Sequence, residues 1–334
     1  MKKMGVLGPL GTHSEAAAQY LSRLLPERPE LLVYPDIFAV IQAVEDSEVD
    51  SCLVPVENSL EGAINITLDT LARSDDLFVA SELIWPVHNQ LMARPGTQKI
   101  CRIYSHPQPI SQCRGYLQQH YQEAELIKVA STARAAEIVA KEPRGMGAAA
   151  ICTKRGGELN GLVTVATEIQ DNMANATRFF ELRRVTAPPQ AAIGPAEKML
   201  VICEIDGQKA GALYDVLKEF ADRGVNMTRI ESRPARTELG AYIFFFDLDV
   251  ADNEEALRTS VEAVARKSKC SRTSAISRSC GPPPDRLNGT QKGICLIVTD
   301  AFFACARLLV ECDDFRLLAL VDAGLRDDDL ARLF

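Results

Sequence analysis

The sequence has no CxxC pair, no basic block and no long apolar run free of charge. Its ten cysteines stand apart at positions 52, 101, 113, 152, 203, 270, 280, 295, 305 and 312. That scatter argues against a zinc site or a disulfide framework and for reduced, mostly buried thiols. Lys and Arg number 37 against 45 Asp and Glu, a net charge of −8 with no basic stripe, so no nucleic-acid partner is expected. The longest apolar stretch, "GICLIVTDAFFACARLLV" (293–310), is interrupted by Asp300 and Arg307. A charge near the centre of a bilayer is costly, so no membrane span is expected. The opening "MKKMGVLGPLGTHSE" carries neither the apolar core nor the small-residue cleavage site of a secretory signal, and a cytoplasmic location is expected.

What remains is an ordinary globular composition, 47% hydrophobic and 25% charged, in a chain of 334 residues with room for two or three domains. Over residues 1–180 short apolar strands alternate with helical patterns. "MGVLG", "SCLVPV", "KVA" and "LVTVATEIQ" read as strands, and "SEAAAQYLSRLL", "GAINITLDTLA" and "STARAAEIVAKE" as helices. Such alternation predicts α/β layering with parallel pairing. Small hydroxyl residues recur at the strand-to-helix turns: Thr12 and Ser14, Ser59, Ser105, Ser131 and Thr132. Helix capping alone accounts for each of them. Four such turns in one half-chain also suit a cleft where helix N-termini converge on a small anion.

"TAPPQAAIGPAEK" (186–198) reads as a linker, rich in Pro, Ala and Gly. Beyond it, "MLVICEI", "NMTRIESRP" and "GAYIFFFDLD" read as strands. "KAGALYDVLKEFADRG" and "NEEALRTSVEAVARK" read as amphipathic helices, the first with Gly224 suited to its C-terminal cap. This β-α-β-β-α unit of about seventy residues is smaller than a typical enzyme and reads as a ligand-sensing module.

The motifs "GPLGTHSEAAA", "VPVENSLEGAINITLDTL", "SHPQPISQCRGYL", "STARAAEIVA" and "IQDNMANATRFFEL" occur in that order. Together they resemble the prephenate dehydratase family, and "GALYDVL" with "NMTRIESRP" resembles its C-terminal ACT regulatory domain. The resemblance covers about residues 4–268. It implies a two-lobed, periplasmic-binding-protein-like (type II) α/β catalytic domain over 1–186. Lobe 1 would take about 1–85 with 176–186, and lobe 2 about 86–175. A linker at 187–197 and a ferredoxin-like βαββαβ ACT domain at 198–269 would follow.

The implied reaction removes CO2 and water from prephenate to leave an aromatic ring, phenylpyruvate. The driving force lies in the substrate, so no nucleophile has to be generated. The protein must hold two carboxylates, orient the ring and donate to the departing hydroxyl. A threonine O–H donates without being deprotonated, which suits a motif with no histidine or cysteine beside it.

By resemblance, Thr177 assists that departure, Arg178 binds a carboxylate bidentately and Phe179 shapes the ring pocket, with Glu57 and Asn58 as further catalytic residues. Thr12, Ser14, Ser59, Ser105, Gln112 and Thr132 are expected to bind substrate. His106 is equally consistent with a turn residue. His13 stands where the family usually has an aromatic side chain, which leaves the role of position 13 open. Gly211, Ala212, Leu213, Asn226, Glu231, Ser232, Arg233 and Pro234 are expected to bind L-phenylalanine as effector. No metal or other cofactor is implied, and a homodimer or homotetramer is. Two alternatives stay open: arogenate as substrate, and a non-catalytic two-lobed small-molecule sensor.

The resemblance stops near residue 270, where "SKCSRTSAISRSCGPPPDRLNGTQK" has no alternating apolar pattern. One codon choice for Cys270–Ser279 with an inserted G reads Trp-Phe-Lys-Asp-Leu-Gly-Asp-Ile-Pro-Phe, closer to the family's usual ending. Residues 270–334 are therefore expected to be a frameshifted or unrelated tail, poorly packed, that leaves the final ACT strand in doubt.

Overall fold

In the computed structural model, residues 1–280 are described apart from 75, 144, 185–196, 239, 251–253 and 269. The chain begins with β1 (Lys3–Leu7), α1 (His13–Leu24), β2 (Glu30–Tyr34), α2 (Ile37–Glu45) and β3 (Ser51–Asn58). The two-residue β4 (Gly62–Ala63), α3 (Asn65–Arg73) and β5 (Leu77–Pro86) complete this first set. Next come β6 (Gln90–Ala93), β7 (Arg102–Ser105), α4 (Pro107–Gln112), α5 (Arg114–His120) and β8 (Glu125–Lys128). They are followed by α6 (Thr132–Lys141), β9 (Ala148–Cys152), α7 (Lys154–Leu159) and β10 (Val163–Ala166). β11 (Ala176–Arg184) returns to the first set, and β12 (Lys198–Ile205), α8 (Ala212–Ala221), β13 (Met227–Pro234), β14 (Tyr242–Asp249), α9 (Glu254–Lys267) and β15 (Cys270–Cys280) follow.

Two sheets result. One has the order β10-β6-β9-β7-β8, with β7 parallel to both β8 and β9. The other runs β13-β14-β12-β15-β5-β11-β3-β1-β2, with β1 parallel to β2 and β3, and β11 antiparallel to β3 and β5. The chain crosses between the two α/β lobes twice. The crossings are tied together by backbone hydrogen bonds from Val87 to Asn175 (2.8 Å) and from Ile169 to Asn89 (3.1 Å). This is the two-lobed, periplasmic-binding-protein-like arrangement with a ferredoxin-like module behind it.

Alternation along β12 and β14 divides the module's apolar side chains between two cores. Val201, Cys203, Ile205, Phe246 and Leu248 pack under α8 and α9 with Val216, Phe220 and Leu257. Leu200, Ile202 and Phe245 enter a core with Val54, Val56, Leu68, Phe180 and Leu182 of the first lobe. The catalytic lobe and the module therefore share one apolar interior.

The doubt over a final strand is corrected by β15. It pairs antiparallel with β12 over Cys270–Ile276 and then parallel with β5 over Ser277–Cys280. Strand pairing is made by backbone groups, so it does not need the apolar alternation that this segment lacks. Ile276 is 1% exposed in the shared core, and the Ser274 hydroxyl accepts from the amide of Val79 at 3.2 Å. Residues 187–196 of the expected linker, and the tail beyond Cys280 with its apolar stretch, lie outside the described residues. Among the described residues no helix is long and apolar enough to cross a membrane.

Candidate active site

β3 and β11 lie side by side and bring two quoted motifs into register, Thr177 opposite Asn58 and Arg178 opposite Glu57. The register then slips, so that Phe179 faces Pro55 and Val56 is the extra residue of a bulge. The bulge lets Pro55 and Asn58 share one side of the sheet, where Thr177 and Phe179 also lie, and all four line one cleft. Asn58 Nδ2 donates to Thr177 Oγ1 (3.1 Å), to Asn175 Oδ1 (2.9 Å) and to the carbonyl of Ala176 (3.2 Å). Its Oδ1 accepts from the amides of Leu60 (3.0 Å) and Glu61 (3.2 Å), which fixes which end of the amide faces the threonine. The Thr177 oxygen thus receives a hydrogen bond, and its own proton is left to point into the cleft.

The cleft has a volume of about 390 Å³, within the range of small-molecule sites. Residues from both lobes line it, among them Thr12, His13, Ser14, Asn89, Gln112, Ser131 and Thr132. α1 starts there with Thr12 as its cap, accepting from Glu15 N at 3.3 Å. α6 starts there with Ser131 accepting from Arg134 N at 3.0 Å, and α4 starts there behind His106. Ile64, before α3, lines the cleft without any side-chain cap. The described lining residues include no Lys or Arg. Amides and dipoles at these helix starts favour an anion without a counter-charge, against the one acidic residue of the lining, Glu61.

His13 occupies the position that the sequence left open. Trp85 Nε1–H donates to its Nδ1 at 3.4 Å, so the neutral ring carries its proton on Nε2. That nitrogen and Oδ1 of the fully buried Asn89 are both out of water, and neither makes a hydrogen bond of full geometry. Burial above all, and then the neighbouring His88, lower the His13 pKa to about 4, with Asn89 acting in the opposite sense. His13 is a neutral donor near neutral pH. Asn89 carries no local sequence signal beyond its place at a lobe crossing.

Of the residues expected to contact substrate, Thr12, Ser14, Asn58, Gln112, Thr132, Thr177 and Phe179 line the cleft. Arg178, Glu57, Ser59 and Ser105 do not line it. Arg178 and Glu57 point to the opposite side of the sheet, because neighbours along a strand alternate. Arg178 Nε pairs with Glu82 Oε2 at 2.5 Å, its Nη1 pairs with Asp247, and the guanidinium lies 4.7 Å over the Phe180 ring. Burial pulls its pKa down, but the charges of Glu82 and Asp247 more than offset this and raise it. Glu57 is bound by Arg229 Nε at 2.9 Å. Ser59 holds the second crossing: its hydroxyl donates to the Ala174 carbonyl and accepts from the Ala176 amide, both at 3.0 Å. Ser105 is fully buried and donates to the Ile151 carbonyl at 2.7 Å.

In the module, Gly211 caps α8 at φ 79°, a left-handed conformation that glycine adopts without strain, and Ala212 and Leu213 follow it. Register places Pro234, Tyr242 and Ile205 in line, so Ser232–Pro234 lie at the same sheet end as the turn to Gly211. Asn226 is at the other end, donating to Asp249 at 2.6 Å. Glu231 meets Arg229 at 3.3 Å, and Arg233 pairs with Asp69 of α3 at 2.6 Å.

Residues 4–187 match the prephenate dehydratase family and residues 201–264 the ACT domain. The chain is 36% identical over 253 residues to the prephenate dehydratase of Lactococcus lactis subsp. lactis, covering 76% of this chain and 88% of that one. The structure of Arthrobacter aurescens prephenate dehydratase in complex with L-Phe aligns with TM-score 0.72 and 32% identity, over 83% of this chain and 90% of that one. A chain described as GqqA, a novel type of quorum quenching acylase, aligns with TM-score 0.71 and 27% identity, over 84% of this chain and 99% of that one. Matched along both of its halves, the chain belongs to the prephenate dehydratase family with a C-terminal ACT domain.

Proposed function

We propose that the chain is a carbon–oxygen lyase that converts prephenate to phenylpyruvate in phenylalanine biosynthesis, with L-phenylalanine acting as effector through the ACT module. The observation that carries the catalytic reading is the Thr177 hydroxyl, whose oxygen is engaged by Asn58 while its proton is left to the cleft. In the reaction the ring carboxylate leaves as CO2. Its bonding electrons enter the ring, and the opposite C–O bond breaks. One proton from the solvent turns the departing hydroxide into water, and Thr177 supplies the hydrogen bond through which that charge is met.

The substrate carboxylates lie against the amides at the starts of α1, α4 and α6, with Ser14, Gln112 and Thr132 as neutral donors, while the Thr12 hydroxyl donates to the Pro9 carbonyl at 3.0 Å. Phe179 and Pro55 form the apolar wall that orients the ring. Catalysis is assigned to residues 1–186 and effector binding to residues 198–269 together with β15.

Phenylpyruvate formation from prephenate, followed by its absorbance, tests this reading, with arogenate and an acyl amide run in parallel. Turnover of prephenate is expected. A folded chain that releases product only from arogenate, or only from the amide that the GqqA likeness suggests, replaces it.

A further inference from the structure

Behind the catalytic strands lies a set of buried charges that bond-breaking itself does not use. Arg178 is 8% exposed and is met by Glu82, Asp247 and, at 3.8 Å, Glu57. Glu82 is fully buried and also faces Lys198 Nζ at 3.7 Å. Glu57 is held in turn by Arg229. Three cations, Arg178, Lys198 and Arg229, thus meet four carboxylates, Glu57, Glu82, Asp247 and Glu231, with Arg178, Glu82 and Asp247 almost wholly out of water. Asp247 on β14, Lys198 on β12 and Arg229 on β13 belong to the regulatory module, whereas Arg178, Glu57 and Glu82 belong to the catalytic sheet.

We propose that Asp247 and Arg229 are positioning residues for the reaction, holding Arg178 and Glu57 and, through the strands that carry them, Thr177 and Asn58. The inference rests on the function proposed above. Thr177 and Arg178 are neighbours on β11, Asn58 and Glu57 are neighbours on β3, and the two pairs stand opposite each other. A strand residue displaced on one face carries its neighbour on the other face with it. The Asn58–Thr177 hydrogen bond aims the donor, so a shift in the rear pair alters that aim directly.

The same bonds give the effector a route. Arg229, Glu231 and Arg233 lie on one half-buried face of β13, which grips the catalytic lobe at Glu57 and again at Asp69. Arg229 is shared between Glu57 (2.9 Å) and Glu231 (3.3 Å). A ligand that favours one of these pairings over the other shifts the balance between two arrangements of the catalytic strands.

The test measures kcat and KM for prephenate on the full chain, with and without saturating L-phenylalanine, for wild type, Asp247→Asn, Asp247→Glu, Arg229→Gln and Arg229→Lys. Thermal unfolding and calorimetric phenylalanine binding are run alongside. Asp247→Asn and Arg229→Gln are expected to lower kcat roughly 10- to 100-fold with KM nearly unchanged, as misplacement of a donor does. Asp247→Glu and Arg229→Lys, which keep the charge, recover part of it. The neutral variants still bind phenylalanine, but their kcat no longer responds to it. Folded neutral variants with wild-type kcat and a wild-type phenylalanine response overturn the inference. Should Asp247→Asn fail to fold, the Arg229 pair decides, since that residue sits at the edge of the cluster. A wild type without prephenate turnover is a separate result, which refutes the proposed function.

Discussion

Asn58 donates to Thr177 rather than accepting from it, because the oxygen end of its amide is occupied by the amides of Leu60 and Glu61. The direction of this one hydrogen bond decides where the threonine proton points. Asn58→Asp reverses it, since a carboxylate accepts the hydroxyl proton and turns it away from the cleft. We expect kcat to fall about 100-fold while circular dichroism stays that of the wild type. A variant with wild-type kcat removes this account of the donor.

Thr177→Val keeps the branched shape and loses the O–H. Its kcat is expected to drop roughly 10²- to 10⁴-fold with a small change in KM, whereas Thr177→Ser retains most activity. Steady-state kinetics on the three proteins decide it, and equal loss in the serine variant assigns the threonine a packing role.

His13 titrates at about 4 in the fold against an ordinary 6.5. As pH falls below 6.5 the unfolded chain takes up the proton first, so the stability this site contributes at neutral pH is lost on the way down to pH 4. The loss amounts to about 3 kcal/mol at pH 4. Urea unfolding of wild type and His13→Gln at pH 7 and pH 4 reads it directly. The variant lacks this loss, and parallel pH profiles for the two proteins contradict the assignment.

The lobes meet where the Gly11 carbonyl accepts from Thr153 Oγ1 at 2.7 Å and where Glu15 pairs with Arg155 at 2.8 Å. A Cβ on Gly156 would stand 2.6 Å from the Gly11 carbonyl oxygen, which is backbone and cannot swing aside. Gly156→Ala should hold the lobes apart and lower kcat/KM about tenfold, with secondary structure retained. Unchanged kcat/KM means that the approach of the lobes seen here does not matter to turnover.

Much of this was legible in the sequence, for local reasons. A hydroxyl before an apolar helical pattern announces a cap, and Thr12 and Ser131 cap α1 and α6. Motifs read in order brought Asn58, Gln112, Thr132 and Thr177 to one cleft. What failed depended on partners far along the chain. Arg178 reads as a ligand for an anion until β11 is known to turn it toward Glu82 and Asp247, and the bulge at Val56 leaves no local trace. Nothing near Ser105 in the sequence shows its hydroxyl turning to Ile151. β15 escaped notice because its partners bind its backbone.

Ile276 is the apolar anchor of that strand, and Ile276→Ala should cost about 3 kcal/mol in denaturant unfolding. A loss below about 1 kcal/mol would show that the strand contributes little packing.

β15 leaves β12 and takes up β5 within one unbroken strand, so a single ladder of hydrogen bonds runs from the regulatory sheet into the catalytic one. The usual expectation for a regulatory domain tethered by a linker is that it can open while the catalytic domain stays closed. Here the two cannot unzip separately without breaking a continuous strand and emptying a common interior. Amide protons on β12 and β5 should therefore exchange with solvent through one shared opening event, and heating should melt both halves in a single transition.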